Sequence, residues 1–294
     1  MQGLLDGKRV VVTGASRGLG RSFATAMAGQ GASLVINGTQ PDRLAETAAL
    51  VAAHGGRCEQ VLGSVAEVDV CQAIVARAVE AYGGIDVLVN NAGIVRDRTL
   101  LKMTPEEFDD VVAVNLRGTW ACGRAAAEAM RDGGGTIINV VSNSGLTGAI
   151  GQTNYAAAKA GVFGMTLSWT RELARYGIRV NAVWPVAVTD MTQVVIDNVE
   201  RRAREAGREV PTPQEMGLGD PDDVANVVVY LASDKASDIN GQIVTFNGRK
   251  MALWTLPREV NVEVRDGWTL DDVVEQFPDT VGAELQPLYD ALGG

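Results

Sequence analysis

Short runs of consecutive apolar residues alternate with longer helical stretches from about residue 8 to residue 248. Seven of these runs read as strands: Val10 to Val12 after a basic start at Lys8, Ala32 to Ile36, Arg57 to Leu62, Ile85 to Val89, Thr136 to Val141, Ile178 to Val183, and Gly241 to Phe246. Near-continuous apolar character is what a parallel strand covered on both faces requires. Helices are expected up to Gly29, from Pro41 toward His54, from Glu67 to Tyr82, after Thr104 to about Met130, around Tyr155, and from Asp220 through Leu231. In Thr104-Pro-Glu-Glu107 the threonine is an N-cap and proline takes the first helical position. The pattern is that of an α/β chain.

The first strand runs into Thr13-Gly-Ala-Ser-Arg-Gly-Leu-Gly20 and then into a helix. Glycines at 14, 18 and 20 let the backbone turn sharply and approach a phosphate, which the helix N-terminus attracts. The spacing is G-x-x-x-G-x-G, and its place between strand and helix supports nucleotide binding. After the second strand comes Asn37-Gly-Thr39, with no acid to meet a ribose 2′-hydroxyl. Arg17 in the glycine loop can face a 2′-phosphate instead, and Thr39 can donate to it; otherwise Arg17 is a solvent-exposed loop arginine. The third strand leads to Gly63-Ser-Val65, and the fourth ends in Asn90-Asn-Ala-Gly93.

Gln152-Thr-Asn-Tyr-Ala-Ala-Ala-Lys-Ala-Gly161 places Tyr155 and Lys159 four residues apart in a helix-favouring context, hence on one face. An isolated phenol titrates near ~10. A unit charge about 4 Å away, at an effective dielectric of ~20, is worth at most ~4 kcal/mol, enough to bring the phenolate within reach of neutral pH. Alone, Tyr-x-x-x-Lys also fits a chance pair on an amphipathic helix.

The glycine loop, the Asn-Asn-Ala-Gly end of the fourth strand and the Tyr-x-x-x-Lys, in that order, resemble the short-chain dehydrogenase/reductase family over roughly residues 6–248. The resemblance implies a single Rossmann-type, doubly wound, seven-stranded parallel sheet with helices on both faces, assembled as a homo-dimer or homo-tetramer. It implies catalytic roles for Asn115, Ser142, Tyr155 and Lys159, with Ser144 the competitor of Ser142. Asn115 would hold a water linking the lysine to solvent, although a polar residue inside a helix also serves as a plain structural hydrogen-bonder. The cofactor would lie along Gly14, Ser16, Arg17, Gly18, Leu19, Gly20, Asn37, Thr39, Ser64, Val65, Asn91, Ala92, Gly93, Tyr155 and Lys159, and would be NADP, preferred over NAD. Asn91 to Arg98, Gly145 to Tyr155 and the loop Val183 to Thr192, which lacks the family's Pro-Gly, look more like the (3R)-hydroxyacyl-CoA dehydrogenase and 3-oxoacyl reductase branch. Members of that branch usually carry an aspartate where this chain has Gly38. A 3-hydroxyacyl or 3-oxoacyl thioester is therefore the leading substrate; steroid or other small alcohols, and a non-catalytic nucleotide-binding scaffold, are the alternatives.

Composition narrows the partners. A formal net charge of −10 argues against nucleic acid or an anionic membrane surface. Cys58, Cys71 and Cys122 show no metal-type spacing, and His54 is the single histidine, so the reading has no metal and a cytoplasmic protein with reduced thiols. Gln193 to Glu209 alternates arginine with glutamate, either as a solvated salt-bridged helix or as a substrate lid. Residues 249–294 extend past the family's usual end as an appendage packed on the core or a neighbouring subunit. Thr269 caps a helix there, and Val273 to Leu292 suggests two short helices.

Overall fold

The computed structural model describes residues 3–283. The chain alternates β1 (Arg9–Val12), α1 (Gly18–Gly29), β2 (Ser33–Gly38), α2 (Pro41–Ala53), β3 (Cys58–Leu62), α3 (Val68–Tyr82) and β4 (Val87–Asn90). Next come α4 (Pro105–Val112), a π-helical segment Ala113–Gly118, α5 (Thr119–Ala129), β5 (Gly135–Val140), the single turn α6 (Ser144–Thr147), α7 (Thr153–Leu173) and β6 (Ile178–Pro185). The unit closes with α8 (Asp190–Glu205), α9 (Pro221–Ala232), β7 (Ile243–Phe246) and β8 (Met251–Leu253). The strand order is β3-β2-β1-β4-β5-β6-β7-β8, parallel throughout except that β8 runs antiparallel to β7.

The expected sheet of seven parallel strands is thus a sheet of eight. The chain turns back after Gly248, whose φ is +83°, and pairs Met251–Leu253 against Val244–Phe246. A three-residue strand is too short to show a period in sequence. It carries the sheet past residue 248, and the chain divides into a unit Met1–Leu253 and a unit Trp254–Gly294.

Side-chain parity along the strands builds two cores. Val10, Val12, Leu34 and Ile36 belong to one, together with Phe23 and Met27 of α1 and Val224 and Val228 of α9. Val11, Val35 and Leu88 point the other way, into a core with Cys71 and Ile74 of α3 and Cys122 and Ala126 of α5. Each large side chain buried this way contributes about 1.5–3 kcal/mol. Apolar residues on both faces are the reason the central strands read as unbroken valine and isoleucine.

The helix expected from Thr104 to Met130 is interrupted. Its start is as read: Thr104 Oγ1 accepts from the Glu107 N–H and the Glu107 carboxylate accepts from the Thr104 N–H, a reciprocal capping box. Over Ala113–Gly118 the turns widen into a π-helix, a form frequent at functional sites. In the C-terminal unit another capping box, Thr269 with Asp272, opens α10 (Leu270–Gln276), and the Arg265 guanidinium lies 4.1 Å from the Trp268 ring centre. The second short helix expected toward Leu292 falls mainly on residues 284–294, outside the described residues.

Glu107 also accepts from Arg98, and its carbonyl accepts from Asn154 beside Tyr155, so the start of α4 braces the loop that carries Arg98. Thr104→Ala is expected to lower stability by about 1 kcal/mol in urea unfolding. An unchanged midpoint would show that the cap contributes nothing.

Candidate active site

The strand order reverses between β1 and β4, and their C-terminal ends open the crevice where open α/β sheets hold ligands. Thr13 and Asn91 tie the two loops together there. Thr13 Oγ1 accepts the N–H groups of Asn91 and Ala92, each at 3.1 Å, while Asn91 Nδ2 donates to the carbonyls of Thr13 (2.9 Å) and Gly14 (3.1 Å). A Cβ on Gly20 would stand 2.3 Å from the Gly14 oxygen, and one on Gly14 would stand 2.6 Å from the Ala92 Cα. Only glycine permits this approach. Ser16 Oγ is buried beside the loop with no partner among the described residues, and a buried hydroxyl in that state fits a ligand that supplies one. Gly14, Ser16, Gly18, Leu19 and Gly20, with Asn91, Ala92 and Gly93 across the crevice, form a cradle suited to the phosphates and ribose of a dinucleotide. Ser64 and Val65 border the third loop, where a Cβ on Gly118 would meet the Val65 carbonyl at 2.7 Å.

The end of β2 carries contacts that the sequence does not display. Asn37 is buried and its Nδ2 donates to the carbonyls of Val61 and Gly63, both at 3.0 Å, so its amide group holds β2 to β3 and the following turn. Thr39 is exposed. Arg17 is exposed as well, but it is paired with Asp190, the first residue of α8.

On the other side of the crevice, β5 delivers Ser142 and α7 delivers Tyr155 and Lys159. Ser142 Oγ donates to Asn143 Oδ1 and Ser144 Oγ, both at 3.3 Å, and its hydroxyl acts on the Tyr155 phenol. The Lys159 ammonium lies 5.5 Å from the Tyr155 ring centre, buried, and donates to the Val140 carbonyl at 2.8 Å. Burial pushes Lys159 down to about 8. Burial also pushes the Tyr155 phenol up, to about 12, with the Ser142 bond pulling it down and the Asp97 charge adding to the rise. In the chain by itself the phenol is therefore shifted upward, with desolvation of the phenolate the largest cause.

Asn115 sits in the π-helical segment, with no exposed surface. Its Oδ1 accepts the Ile94 N–H at 2.8 Å and its Nδ2 donates to the Ile94 carbonyl at 3.0 Å. The side chain thus fixes the loop after β4, as the plain structural reading of a helical asparagine expects. Ser144 Oγ donates to Gln152 Oε1 at 2.9 Å, and Gln152 Nε2 donates to Asp97 Oδ2 at 3.1 Å. Ser142 Oγ donates to Ser144 Oγ at 3.3 Å, which extends this string to Ser142. Gln152 and Asp97 escaped the sequence reading; the signal was present, since both lie in stretches that carried the branch resemblance. Asp190 left no signal, because its partner is 173 residues away. In Gln193 to Glu209, Arg201 pairs with Glu205 and Arg204 with Glu200, both four apart and exposed, the solvated helix of the plainer reading.

A cradle at the reversal point facing a serine, tyrosine and lysine defines a dinucleotide-dependent oxidoreductase fold, and the chain belongs to the short-chain dehydrogenase/reductase family. Residues 14–248 match a model of that family described as enoyl-(acyl carrier protein) reductase. Among known proteins, the 3-oxoacyl-[acyl-carrier-protein] reductase FabG of Staphylococcus aureus is 41% identical over 244 residues, covering 82% of this chain and 97% of that reductase. The hydroxyacyl-CoA dehydrogenase ChsB1 of Mycobacterium tuberculosis is 39% identical over 281 residues, covering 91% of this chain and 86% of that enzyme. A crystal structure of a short chain dehydrogenase from Mycobacterium avium superposes with a TM-score of 0.82 at 34% identity, covering 97% of this chain and 98% of that one.

Two predictions follow from the geometry. Gly38 is free of positive φ, yet its Cβ would stand 2.0 Å from Ser16 Oγ. Gly38→Ala is expected to cost about 1–3 kcal/mol, and adding Ser16→Gly should recover most of it; strictly additive losses in thermal melts would contradict the contact. For Lys159 the folded value of about 8 lies below the ordinary 10.5, so between these the unfolded chain binds more protons and stability rises with pH. Relative to Lys159→Met, the wild type should gain about 3 kcal/mol between pH 7 and the upper end of that window. A pH-independent difference in denaturant unfolding would overturn it.

Proposed function

We propose that this protein is an NAD(P)-dependent oxidoreductase that interconverts the hydroxyl and carbonyl of a 3-hydroxyacyl/3-oxoacyl thioester. The observation that carries the reading is the convergence of Ser142, Tyr155 and buried Lys159 across the crevice from the glycine cradle. Relatives named for 3-oxoacyl-acyl-carrier-protein and hydroxyacyl-CoA chemistry support the substrate class. Coenzyme A is favoured as the carrier, because the alignment with the CoA dehydrogenase covers 91% of the chain and reaches into the C-terminal extension, against 82% for the reductase.

Ser142 would donate a hydrogen bond to the substrate carbonyl, and Tyr155 would give its proton to the oxygen as an alkoxide develops. A phenol raised to about 12 is protonated at neutral pH, which suits the acid role in reduction. Lys159, beneath it, would bind the nicotinamide ribose and, together with a positively charged oxidised ring, favour the phenolate in the reverse direction. A bound nicotinamide cofactor would supply or accept the hydride. Asn115 serves this arrangement by fixing the loop at Ile94, and a water relay at this helix is part of the proposal.

The preferred cofactor in this reading is NADP(H). No acid follows β2 to repel a 2′-phosphate, Thr39 is exposed beside it, and Arg17 can form a charge-assisted bond with it. The reading also takes a cytoplasmic homo-dimer or homo-tetramer acting in lipid metabolism, with residues 1–248 as the dehydrogenase domain and 249–294 as an appendage on that core or on a neighbouring subunit. Among the described residues no helix is long and apolar enough to cross a membrane.

The test is oxidation of NADPH or NADH at 340 nm with acetoacetyl-CoA beside a panel of small ketones. Turnover of the thioester is expected, with Tyr155→Phe lowering kcat at least about 10²-fold and leaving cofactor affinity nearly unchanged. Turnover of the ketones alone would give the small-alcohol reading instead, and retained kcat in Tyr155→Phe would sink the role of the phenol.

A further inference from the structure

The mouth of the cradle holds an anion that the chain itself supplies. Asp190 Oδ2 is paired with the Arg17 guanidinium of the glycine loop, and Arg43 Nη1 of α2 stands 3.9 Å from the same oxygen. Two cations on two different elements therefore converge on one carboxylate. The carboxylate is well placed to do this. Thr189 and Thr192 cap each other reciprocally at the start of α8, and the Thr189 methyl lies 3.9 Å from where a Cβ on Gly18 would stand. The first turn of α8 thus rests over the phosphate-binding loop.

The neighbouring cation is already engaged. Arg21 donates to the carbonyls of Ser16 and Arg43, to Thr47 Oγ1 and to Glu46 Oε2, so it belongs to the packing of α1 on α2. Arg17 and Arg43 are half-exposed, and Asp190 is more exposed still. An exposed pair of this kind exchanges readily for a stronger anion, and a phosphate with two negative charges and three acceptor oxygens is the stronger partner of two guanidinium groups. Asp190 has the charge sign and the two arginine partners that a 2′-phosphate of an NADP-type cofactor would need.

We propose that Asp190 is a specificity-determining residue that competes with the cofactor 2′-phosphate for Arg17 and Arg43. A phosphorylated cofactor has to displace Asp190, whereas a cofactor with a free 2′-hydroxyl leaves the pair in place. The competition narrows the gap between the two cofactors, and it places the control of preference on α8 instead of at Gly38, where an added side chain meets Ser16. The inference rests on the proposed NADP(H) reading, in that the two arginines are taken to face that phosphate.

Calorimetric titration with 2′,5′-ADP and 5′-AMP isolates the interaction, since the two probes differ only in the 2′-phosphate. Asp190→Asn is expected to tighten 2′,5′-ADP about fivefold and to leave 5′-AMP within about twofold. Adding Arg17→Gln to that variant should abolish the gain. A wild type that favours 2′,5′-ADP together with an Asp190→Asn chain of the same ratio overturns the competition and leaves the NADP(H) reading standing. If 2′,5′-ADP binds no better than 5′-AMP in either chain, the arginines do not hold the phosphate, and both readings fall. Equal tightening of both probes would mean that the variant only loosens α8, and it also overturns the competition.

Discussion

The Lys159 ammonium is a charge placed where the chain offers it little water and one carbonyl. Its bond to Val140 fixes the end of β5 against α7, and that seam sets where Ser142 and Tyr155 meet. Burying a cation is costly unless it is bonded, so the strand end and the helix must keep their register for the lysine to be tolerated. The same burial lowers the lysine and raises the phenol. Desolvation acts in opposite directions on a cation and on an acid, and it leaves a protonated phenol beside an ammonium poised near neutral pH.

The other half of the site depends on backbone proximity. Thr13 and Asn91 bind the ends of two adjacent parallel strands, and the glycine loop is pressed so closely on Ala92 that side chains at 14 or 20 have nowhere to go. The cradle and Ser142 are thus carried by β1, β4 and β5, which are neighbours in the sheet, and Tyr155 and Lys159 by α7. Their spacing is set by the ladder of a parallel sheet whose two faces are filled by α1 with α9 and by α3 with α5. The π-helical turn adds the last constraint, because it brings Asn115 to the backbone of Ile94 and holds the loop that closes the crevice.

Much of this was legible in sequence because it is local. Valine runs buried on both faces, Thr104 before Pro105, and glycines between a strand and a helix each carry their physical reason within a few residues. The Tyr155–Lys159 spacing gave the shared helix face for the same reason. What escaped depends on contacts between distant segments. The π-helical turn is a one-residue widening that no period reveals, and β8 is three residues that pair only because Gly248 reverses the chain. The bonds of the Asn37 amide to Val61 and Gly63 likewise join segments more than twenty residues apart. The upward direction of the Tyr155 shift in the chain alone was not legible, because a nearby charge is visible in sequence and desolvation is not.

The account turns on burial raising the Tyr155 phenol in the chain without cofactor, and a tyrosinate titration tests this directly. The ultraviolet difference between the wild type and Tyr155→Phe, followed with rising pH in the absence of cofactor, isolates this one phenol. It should ionise well above the ordinary tyrosine value, near the raised value of about 12. A tyrosinate signal with its midpoint at or below about 10 would contradict the account and return the lysine to the dominant role.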